Sequence, residues 1–453
     1  MAKVSKRGGF SDRNKIKPEN TEIQLKDFDK RTRNQLQNMV SQLYKEVYGD
    51  MYYGRQPIQN FLTYVKGMIY AEPVDSRYTY GDDAFKSDEY VNEGIRIIRI
   101  ANVQKGYIED DAPAFYPMNS IGLNKYMLKE DDLLMSLTGN VGRVALLQKE
   151  MLPAALNQRV ACLRLKTDKL IKRYLFHILN SNFFERQCIQ ASKGVAQKNM
   201  STEWLKDYEI PLYSIEKQLE IIEVLDKTRN VISLRKDELL ALDNLIKARF
   251  VERFGDEKNS KDWTIVHIED VADVQVGVVI KPSQYYTDEN NGIRAFRSLN
   301  VGEGFIKDSD WVYFTIEGHR KNSKSILKEN DLLIVRSGAP GTACVVNKDY
   351  VGCNAIDIII VHPDCEKVNP YYLCTFTNMP HGKKQIVKGT GGAAQQHFNV
   401  GKYNKMHLML PPKELQDEFV KFLEQVNKSK VAVQKVLDET QKLFDSLMQQ
   451  YFG

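Results

Sequence analysis

The chain repeats itself at an offset of about 198 residues, and this internal repeat constrains its fold more than any other feature. Gly94–Arg99 (GIRIIR) corresponds to Gly292–Arg297 (GIRAFR), and Gly194–Gln197 (GVAQ) corresponds to Gly392–Gln395 (GAAQ). Two copies of this length indicate a duplicated domain rather than an array of short repeats. The sequence therefore predicts two similar but non-identical modules, an arrangement that suits a protein reading two different targets at once.

Composition places limits on the class of protein. The 453 residues are 42% hydrophobic and 27% charged, which is typical of a globular chain with two or three domains. No apolar run approaches the roughly 20 residues of a membrane span, and no apolar stretch follows the basic N-terminus as in a secretory signal. The six scattered cysteines predict reduced thiols, a cytoplasmic location and no metal site. The net charge of +5 is small, so a nucleic-acid surface would be a local basic patch.

Each copy shows the same order of predicted elements. An apolar strand leads to a glycine-containing turn between two strands, then to a buried strand, a short helix, and a polar loop with glycine and glutamine. The predicted fold class is α+β, with two pseudo-repeated β-rich domains joined by two long antiparallel coiled-coil helices. The predicted boundaries are 1–87 for a helical N-terminal segment, 88–213 and 257–412 for the two domains, and 214–256 and 413–453 for the helices.

Heptad spacing predicts the two long helices. The apolar residues are Leu219, Ile222, Leu225, Ile232, Leu239, Leu242, Ile246 and Phe250 in the first copy, and Leu415, Phe419, Phe422, Val426, Val433, Val436, Phe444 and Leu447 in the second. At 1.5 Å per residue each helix would extend on the order of 50–55 Å. Each could pack on its own domain, but this length favours packing of one helix on the other.

The first 85 or so residues have no counterpart in the second copy. Their apolar spacing predicts helices over Arg33–Tyr48 and Ile58–Ile69, whereas Trp263–Tyr286 in the second copy has a strand-like pattern. The sequence therefore predicts that the first module has lost or replaced its opening strands.

Several motifs suggest enzyme chemistry, but the repeat favours structural interpretations. Asn369-Pro370-Tyr371-Tyr372 resembles the Asn-Pro-Pro-Tyr motif of amino-methyltransferases, yet Tyr174 matches Tyr372 without that motif, so Pro370 is interpreted as a helix-start proline. Arg173 and His177 lie four apart on a helix, and we expect a solvated helical face rather than a nuclease site. No P-loop, nucleophile elbow or glycine fingerprint for a cofactor is found. The chain is predicted to be non-catalytic, with no cofactor of its own.

The polar loops are the candidate binding residues. Glycines allow close approach of the backbone to a phosphate, while Gln and Asn can pair with adenine and Arg or Lys with guanine. A flexible hairpin tip or a shared structural turn is the alternative. The predicted DNA-binding residues are Asn140, Arg143, Lys193, Gln197, Lys198, Arg336, Ser337, Lys388, Gln395 and Gln396.

The order of these motifs resembles the specificity (S) subunits of type I restriction-modification systems over residues 88–453. The resemblance rests on Leu156-Asn157-Gln158, the Gly-x-x-Gln loops, Ile210-Pro211-Leu212 and the Glu-x-Gln of Glu216 to Gln218. It implies two target-recognition domains that read the halves of a bipartite site in double-stranded DNA, with the long helices as a ruler. It also implies docking of two modification subunits and of restriction subunits. S-adenosylmethionine, ATP and Mg²⁺ would belong to those partners.

A weaker resemblance links residues 9–85 to the N-terminal domain of AbiJ-type abortive-infection proteins. It rests on Phe10–Pro18 and Phe28–Asn34. Two further functions therefore stand as alternatives: a methyltransferase–specificity fusion, and an abortive-infection effector with a specificity-subunit-like DNA-binding region.

Overall fold

The computed structural model describes residues 49–65, 89–120, 123–157, 159–192, 198–256, 258–389 and 398–453, with single positions at 39, 42 and 47. The chain forms two compact units. The first unit contains residues up to Asn230 together with Gln441–Gly453, and the second unit contains Val231–Thr440. The predicted helix over Arg33–Tyr48 lies outside the described residues except for positions 39, 42 and 47, and the same is true of the segment resembling AbiJ as far as residue 48.

The first unit contains three small sheets. Their strand orders are β1-β9, β2-β8-β5-β6 and β4-β3-β7. The strands are β1 (Tyr52–Pro57), β2 (Leu62–Val65), β3 (Ile95–Ile98), β4 (Phe115–Tyr116), β5 (Leu133–Ser136), β6 (Val144–Leu146), β7 (Ala154–Leu156), β8 (Val160–Leu165) and β9 (Glu209–Tyr213). Only the β3–β7 pair is parallel among these pairings.

The second unit repeats this arrangement. Its strand orders are β10-β19, β11-β18-β15-β16 and β12-β14-β13-β17, so the third sheet gains one strand. The strands are β10 (Thr264–His267), β11 (Ala272–Val276), β12 (Tyr286–Thr287), β13 (Ile293–Phe296), β14 (Val312–Phe314), β15 (Leu332–Val335), β16 (Ala343–Val345), β17 (Asn354–Ala355), β18 (Ile358–Pro363) and β19 (His407–Leu410).

In each unit, the four-stranded sheet that contains β5 or β15 lies between two hydrophobic clusters. In β5, Leu133 and Met135 join one hydrophobic cluster, whereas Leu134 joins another. In β15, Leu332 and Ile334 face one cluster and Leu333 faces the other. Because successive strand residues point to opposite faces, an uninterrupted apolar strand is buried on both sides.

Nine α-helices have both ends within the described ranges. They are α1 (Lys172–Leu179), α2 (Asn182–Ala191), α3 (Thr202–Asp207), α4 (Ile215–Phe254), α5 (Ile316–Lys321), α6 (Pro370–Asn378), α7 (Pro380–Gly389), α8 (Val400–Asn404) and α9 (Lys413–Phe452). Pro370 is the first residue of α6, and the Asn369 side chain accepts a hydrogen bond from the Tyr371 backbone N–H at 2.9 Å. The interpretation of Pro370 as a helix-start proline is confirmed.

The predicted helix over Ile58–Ile69 is wrong for residues 58–65. A 3₁₀ turn at Ile58–Asn60 is followed by β2. β1 pairs antiparallel with β9 as β10 pairs with β19, and β2 pairs antiparallel with β8 as β11 pairs with β18. The prediction that the first module lost its opening strands is therefore also wrong. A short apolar segment takes its conformation from the strand it pairs with, which local spacing does not reveal.

The two long helices pack antiparallel within the second unit. Both α4 and α9 have 40 residues. The guanidinium of Arg253 lies 3.1 Å from the Glu418 carboxylate, and the ammonium of Lys430 lies 2.5 Å from that of Asp243. The pair nearer the start of α9, at Glu418, involves the later residue of α4, Arg253, and the pair further along α9 involves the earlier residue. These helical segments therefore run in opposite directions. Antiparallel pairing is confirmed for this part of the helices.

Candidate nucleic-acid interface

In the first unit, backbone hydrogen bonds bring the glycine turn and the end of the polar loop together. The N–H of Gly139 donates to the Lys198 carbonyl at 2.9 Å, and the N–H of Met200 donates to the Leu137 carbonyl at 2.9 Å. Thr138 and Asn199 form an antiparallel bridge between these contacts. Two segments about 60 residues apart in the sequence therefore lie side by side, and Gly139 and Lys198 are exposed where they meet.

The second unit brings the equivalent segments together through one arginine. The Phe398 N–H donates to the Arg336 carbonyl at 3.1 Å. The Nε of Arg336 donates to the Phe398 carbonyl at 3.2 Å, and its guanidinium pairs with Asp357. The Arg336 side chain is only 17% exposed. Its charge therefore serves first to fix the loop to the sheet.

Close packing explains the glycines in the turns. Gly142 has a φ of +78° and Gly341 a φ of +88°, in the left-handed region that other residues avoid. A Cβ at Gly142 would lie 2.7 Å from the Cys188 sulfur, and one at Gly341 would lie 2.6 Å from the Cδ1 of Ile386. The second glycine of each turn thus lets the turn lie directly on a helix.

The remaining predicted residues of the first unit surround this turn. Asn140 and Lys198 are exposed. Arg143 is partly buried, and its guanidinium donates to the side-chain oxygen of Gln104. The backbone N–H of Arg143 donates to the Ser136 hydroxyl at 3.1 Å. Arg143 is therefore held in place, as an arginine must be to present a fixed pair of donors to a base.

The other predicted residues divide between the described and the undescribed segments. Ser337 is half-buried beside Arg336 in the turn. Lys388 lies near the end of α7. Lys193, Gln197, Gln395 and Gln396 lie outside the described residues. The structure thus brings together Asn140, Arg143 and Lys198 in the first unit, and places Arg336 and Ser337 at the corresponding position of the second.

The prediction of a solvated helical face for Arg173 and His177 is wrong for His177, whereas the Arg173 side chain is 39% exposed. The His177 side chain is fully buried, and its Nε2 lies 2.8 Å from the Asp226 carboxylate. Arg173 donates to both oxygens of that carboxylate. Burial lowers the pKa of His177, so the imidazole is neutral near pH 7. Sequence reasoning missed this network because Asp226 lies 49 residues from His177, on another helix.

The charge of Asp226 is stabilised by the same contacts. Burial alone would raise the pKa of this carboxyl, but the hydrogen bonds from His177 and Arg173 outweigh burial and hold its pKa well below the usual range. The second unit has Tyr371, Thr375 and Glu424 at the corresponding positions. The network is therefore specific to the first unit and joins α1 to α4.

The equivalent tyrosines argue against a target-amine motif at Asn369–Tyr372. The Tyr372 hydroxyl is buried and donates to the Met409 carbonyl at 2.7 Å. The Tyr174 hydroxyl donates to the Pro211 carbonyl at 2.9 Å. Both tyrosines hold a helix to the last strand of their unit, so their role is structural.

In the described residues, no group of three or more His, Cys, Asp or Glu side chains could hold a metal ion, and no helix is long and apolar enough to cross a bilayer.

Comparisons with known proteins agree with this duplicated architecture. The type I restriction enzyme EcoBI specificity subunit of Escherichia coli is 23% identical over 370 residues, which cover 76% of this chain and 76% of that protein. The MjaVIII specificity subunit of Methanocaldococcus jannaschii is 30% identical over 161 residues, covering 34% of this chain and 37% of that protein.

The fold and the family agree as well. The crystal structure of a type I restriction-modification S subunit from M. genitalium has a TM-score of 0.53 at 13% identity, covering 90% of this chain and 98% of that one. The family model for the type I restriction modification DNA specificity domain matches residues 81–244 and 260–440, one range in each repeat. The chain therefore belongs to the type I restriction-modification DNA-specificity family, as a non-catalytic DNA-recognition subunit.

Proposed function

We propose that each unit of this chain reads one half of a bipartite site in double-stranded DNA. The observation that carries the proposal is the backbone pairing, in both units, of a glycine turn with the residues at the end of a polar loop from a distant part of the sequence. Lys198, exposed at this junction, supplies a mobile positive charge suited to a phosphate. Arg143, held by Gln104, supplies a fixed guanidinium suited to the edge of a guanine.

We propose that the long helices dock two modification subunits, which restriction subunits then join. α4 carries exposed apolar side chains within the second unit. Leu234 is 57% exposed, and Leu245, about three turns further along the same side of the helix, is 47% exposed. Exposed apolar residues on an amphipathic helix indicate a surface that a partner covers. We expect the partner subunits, rather than this chain, to bind S-adenosylmethionine, ATP and Mg²⁺. We expect the assembly to be cytoplasmic, because its DNA is found there.

Adenine methylation in the host tests the DNA-reading function. Sequencing of methylated bases should show a bipartite motif that disappears when the gene is deleted and returns when it is restored. Co-purification tests the docking function. Leu234→Asp with Leu245→Asp should abolish capture of the modification subunit, whereas Lys236→Ala, an exposed change on another side of the same helix, should not. Unchanged methylation after deletion would contradict DNA reading. Unchanged capture would contradict docking on this face.

A further inference from the structure

A short hairpin with the same backbone structure follows β3 in the first unit and β13 in the second. An antiparallel bridge between a valine and an isoleucine closes each hairpin, Val103–Ile108 in the first unit and Val301–Ile306 in the second. A glycine N–H of each hairpin donates at 2.8 Å to the first residue of the neighbouring strand, from Gly106 to the Val144 carbonyl of β6 and from Gly304 to the Ala343 carbonyl of β16. The hairpin therefore occupies the same position on the sheet in each unit.

A buried asparagine fixes the base of each hairpin. The side-chain oxygen of Asn102 accepts a hydrogen bond from the Arg99 backbone N–H at 2.9 Å. Asn300 makes the equivalent contact with Arg297, also at 2.9 Å. The two amide nitrogens donate to backbone carbonyls on the far side of the hairpins, at 2.8 Å to Glu109 and at 2.7 Å to Ser309. Because both amides are buried and hydrogen-bonded, they hold the hairpins rigidly.

Each hairpin presents one aromatic ring to solvent. Tyr107 is 55% exposed, and Phe305, at the equivalent position, is 52% exposed. The bridging valines, Val103 and Val301, lie instead within hydrophobic clusters. An exposed aromatic ring on a rigid support is typical of the residues that anchor protein–protein interfaces.

The charges beside the two rings differ between the units. Lys105 of the first hairpin pairs with Glu185 of α2 at 2.6 Å. At the equivalent positions Glu303 of the second hairpin pairs with Lys383 of α7, so the signs of the ion pair are reversed. A partner common to both units therefore cannot rely on the charge at this position. The aromatic ring is the exposed group that the two positions have in common.

The composition of the hairpins argues against DNA as this common partner. Residues 103–112 and 301–310 each contain three acidic side chains and one lysine. Because cations that neutralise phosphates dominate affinity for DNA, these segments favour a protein partner. A bipartite DNA site also differs in sequence between its halves, whereas two copies of one protein are identical and would meet the same ring twice.

Both hairpins lie beside the long helices. In the first unit, Lys105 lines a cleft together with Phe444 and Met448 of α9. In the second unit, Phe305 lines a cleft together with Leu239 of α4. A protein that docks on the long helices within either unit can therefore reach the hairpin of that unit.

We propose that Tyr107 and Phe305 are equivalent anchors, each inserted into an apolar pocket of one modification subunit. This assignment rests on the docking of two modification subunits to the chain, and it adds a contact made by the β-rich domains to the one made by the helices. The strand to which each hairpin is bonded begins directly after the glycine turn, at Val144 or Ala343. An anchor at this point holds one modification subunit next to each half of the DNA site.

Titration of the purified modification subunit into the full-length protein, followed by native mass spectrometry, tests the proposal. The wild type should bind two modification subunits per chain. Tyr107→Ser and Phe305→Ser should each weaken one of the two binding steps about tenfold or more, because each removes a central aromatic anchor. At limiting concentration, either variant should therefore accumulate a complex with one modification subunit, and the double variant should weaken both steps.

Two controls separate an anchor from a structural role. Tyr107→Phe and Phe305→Tyr exchange the ring of one unit for that of the other and should retain both steps. Tyr53→Ser removes another tyrosine of the first unit that is also 55% exposed, and it should bind as the wild type does. The melting temperature of each serine variant should equal that of the wild type, because the rings are exposed.

The possible failures are distinct. If the wild type captures no modification subunit, both the docking function and this inference are overturned. If the wild type binds two and the double serine variant binds two with equal affinity, only the inference is overturned. The inference is also overturned if the serine variants keep both modification subunits but lose affinity for DNA, since the rings would then contact DNA.

Discussion

The side-chain amide of Gln218 accepts a hydrogen bond from the backbone N–H of Ile171 at 2.8 Å and so joins the first turn of α4 to the start of α1. Its Nε2 also donates to the carbonyls of Lys169 and Tyr213. Gln416 makes the same three contacts in the second unit, with Asn369, Lys367 and Pro411. Both glutamines are fully buried. In each unit, the glutamine of the Glu-x-Gln motif is therefore a clamp that holds the start of the long helix to its β-rich domain.

Loss of this clamp should destabilise each unit. Gln218→Leu and Gln416→Leu keep roughly the size of the side chain. Each leaves three backbone groups without their hydrogen-bond partner, at a cost of about 1–3 kcal/mol for each group that stays buried. Urea unfolding of each variant gives the change in free energy. Gln425→Leu, an exposed change on α9, is the matched control. Equal stability of Gln218→Leu and Gln425→Leu would show that water replaces the clamp.

Acid should destabilise the first unit through His177. Its folded pKa is lowered by burial, so the unfolded chain binds the proton first, and stability falls as the pH drops below about 6.5. The lowered pKa of Asp226 adds a further loss below about pH 4. His177→Gln should flatten the dependence of Tm on pH between 7 and 5. His407→Gln, which changes an exposed ring of the second unit, should not. An identical slope in His177→Gln and the wild type would refute the assignment.

Lys198 and Arg336 should respond differently to removal of their charge. Lys198→Ala should weaken binding to all DNA sequences and reduce the salt slope of log affinity by about 1, because it deletes one phosphate contact. Its stability should be unchanged, since the side chain is exposed. Filter binding at several salt concentrations measures the slope. A slope equal to that of the wild type would place the phosphate contact on other residues.

Arg336→Ala should instead act through stability. The change leaves Asp357 and the Phe398 carbonyl without their donor, at a cost of about 1–3 kcal/mol. Faster hydrogen exchange near Phe398 would report the released loop. Arg336→Lys should recover only part of the loss, because an ammonium lacks the planar fork of the guanidinium. If Arg336→Ala unfolds with the same free energy as the wild type, Arg336 does not stabilise the loop, and its guanidinium remains available to contact DNA.

Local pattern and internal repetition were sufficient to predict much of the fold. The short helix predicted after the buried strand of each copy is observed at Lys172–Leu179 and at Pro370–Asn378. The prediction failed at residues 58–65, where pairing with β8 decides the conformation. It failed again at His177, where the deciding partner is on another helix. Contacts between residues distant in the sequence leave no periodic signal, so local spacing could not predict either of them.

The central claim is that each unit reads its own half of the DNA site. The direct test replaces residues 390–397 of the second unit with a glycine–serine segment and maps methylated adenines in a host that carries the partner subunits. The account predicts that one half of the bipartite motif relaxes while the other half and the spacing stay unchanged. Relaxation of both halves together, or an unaltered motif, would contradict it.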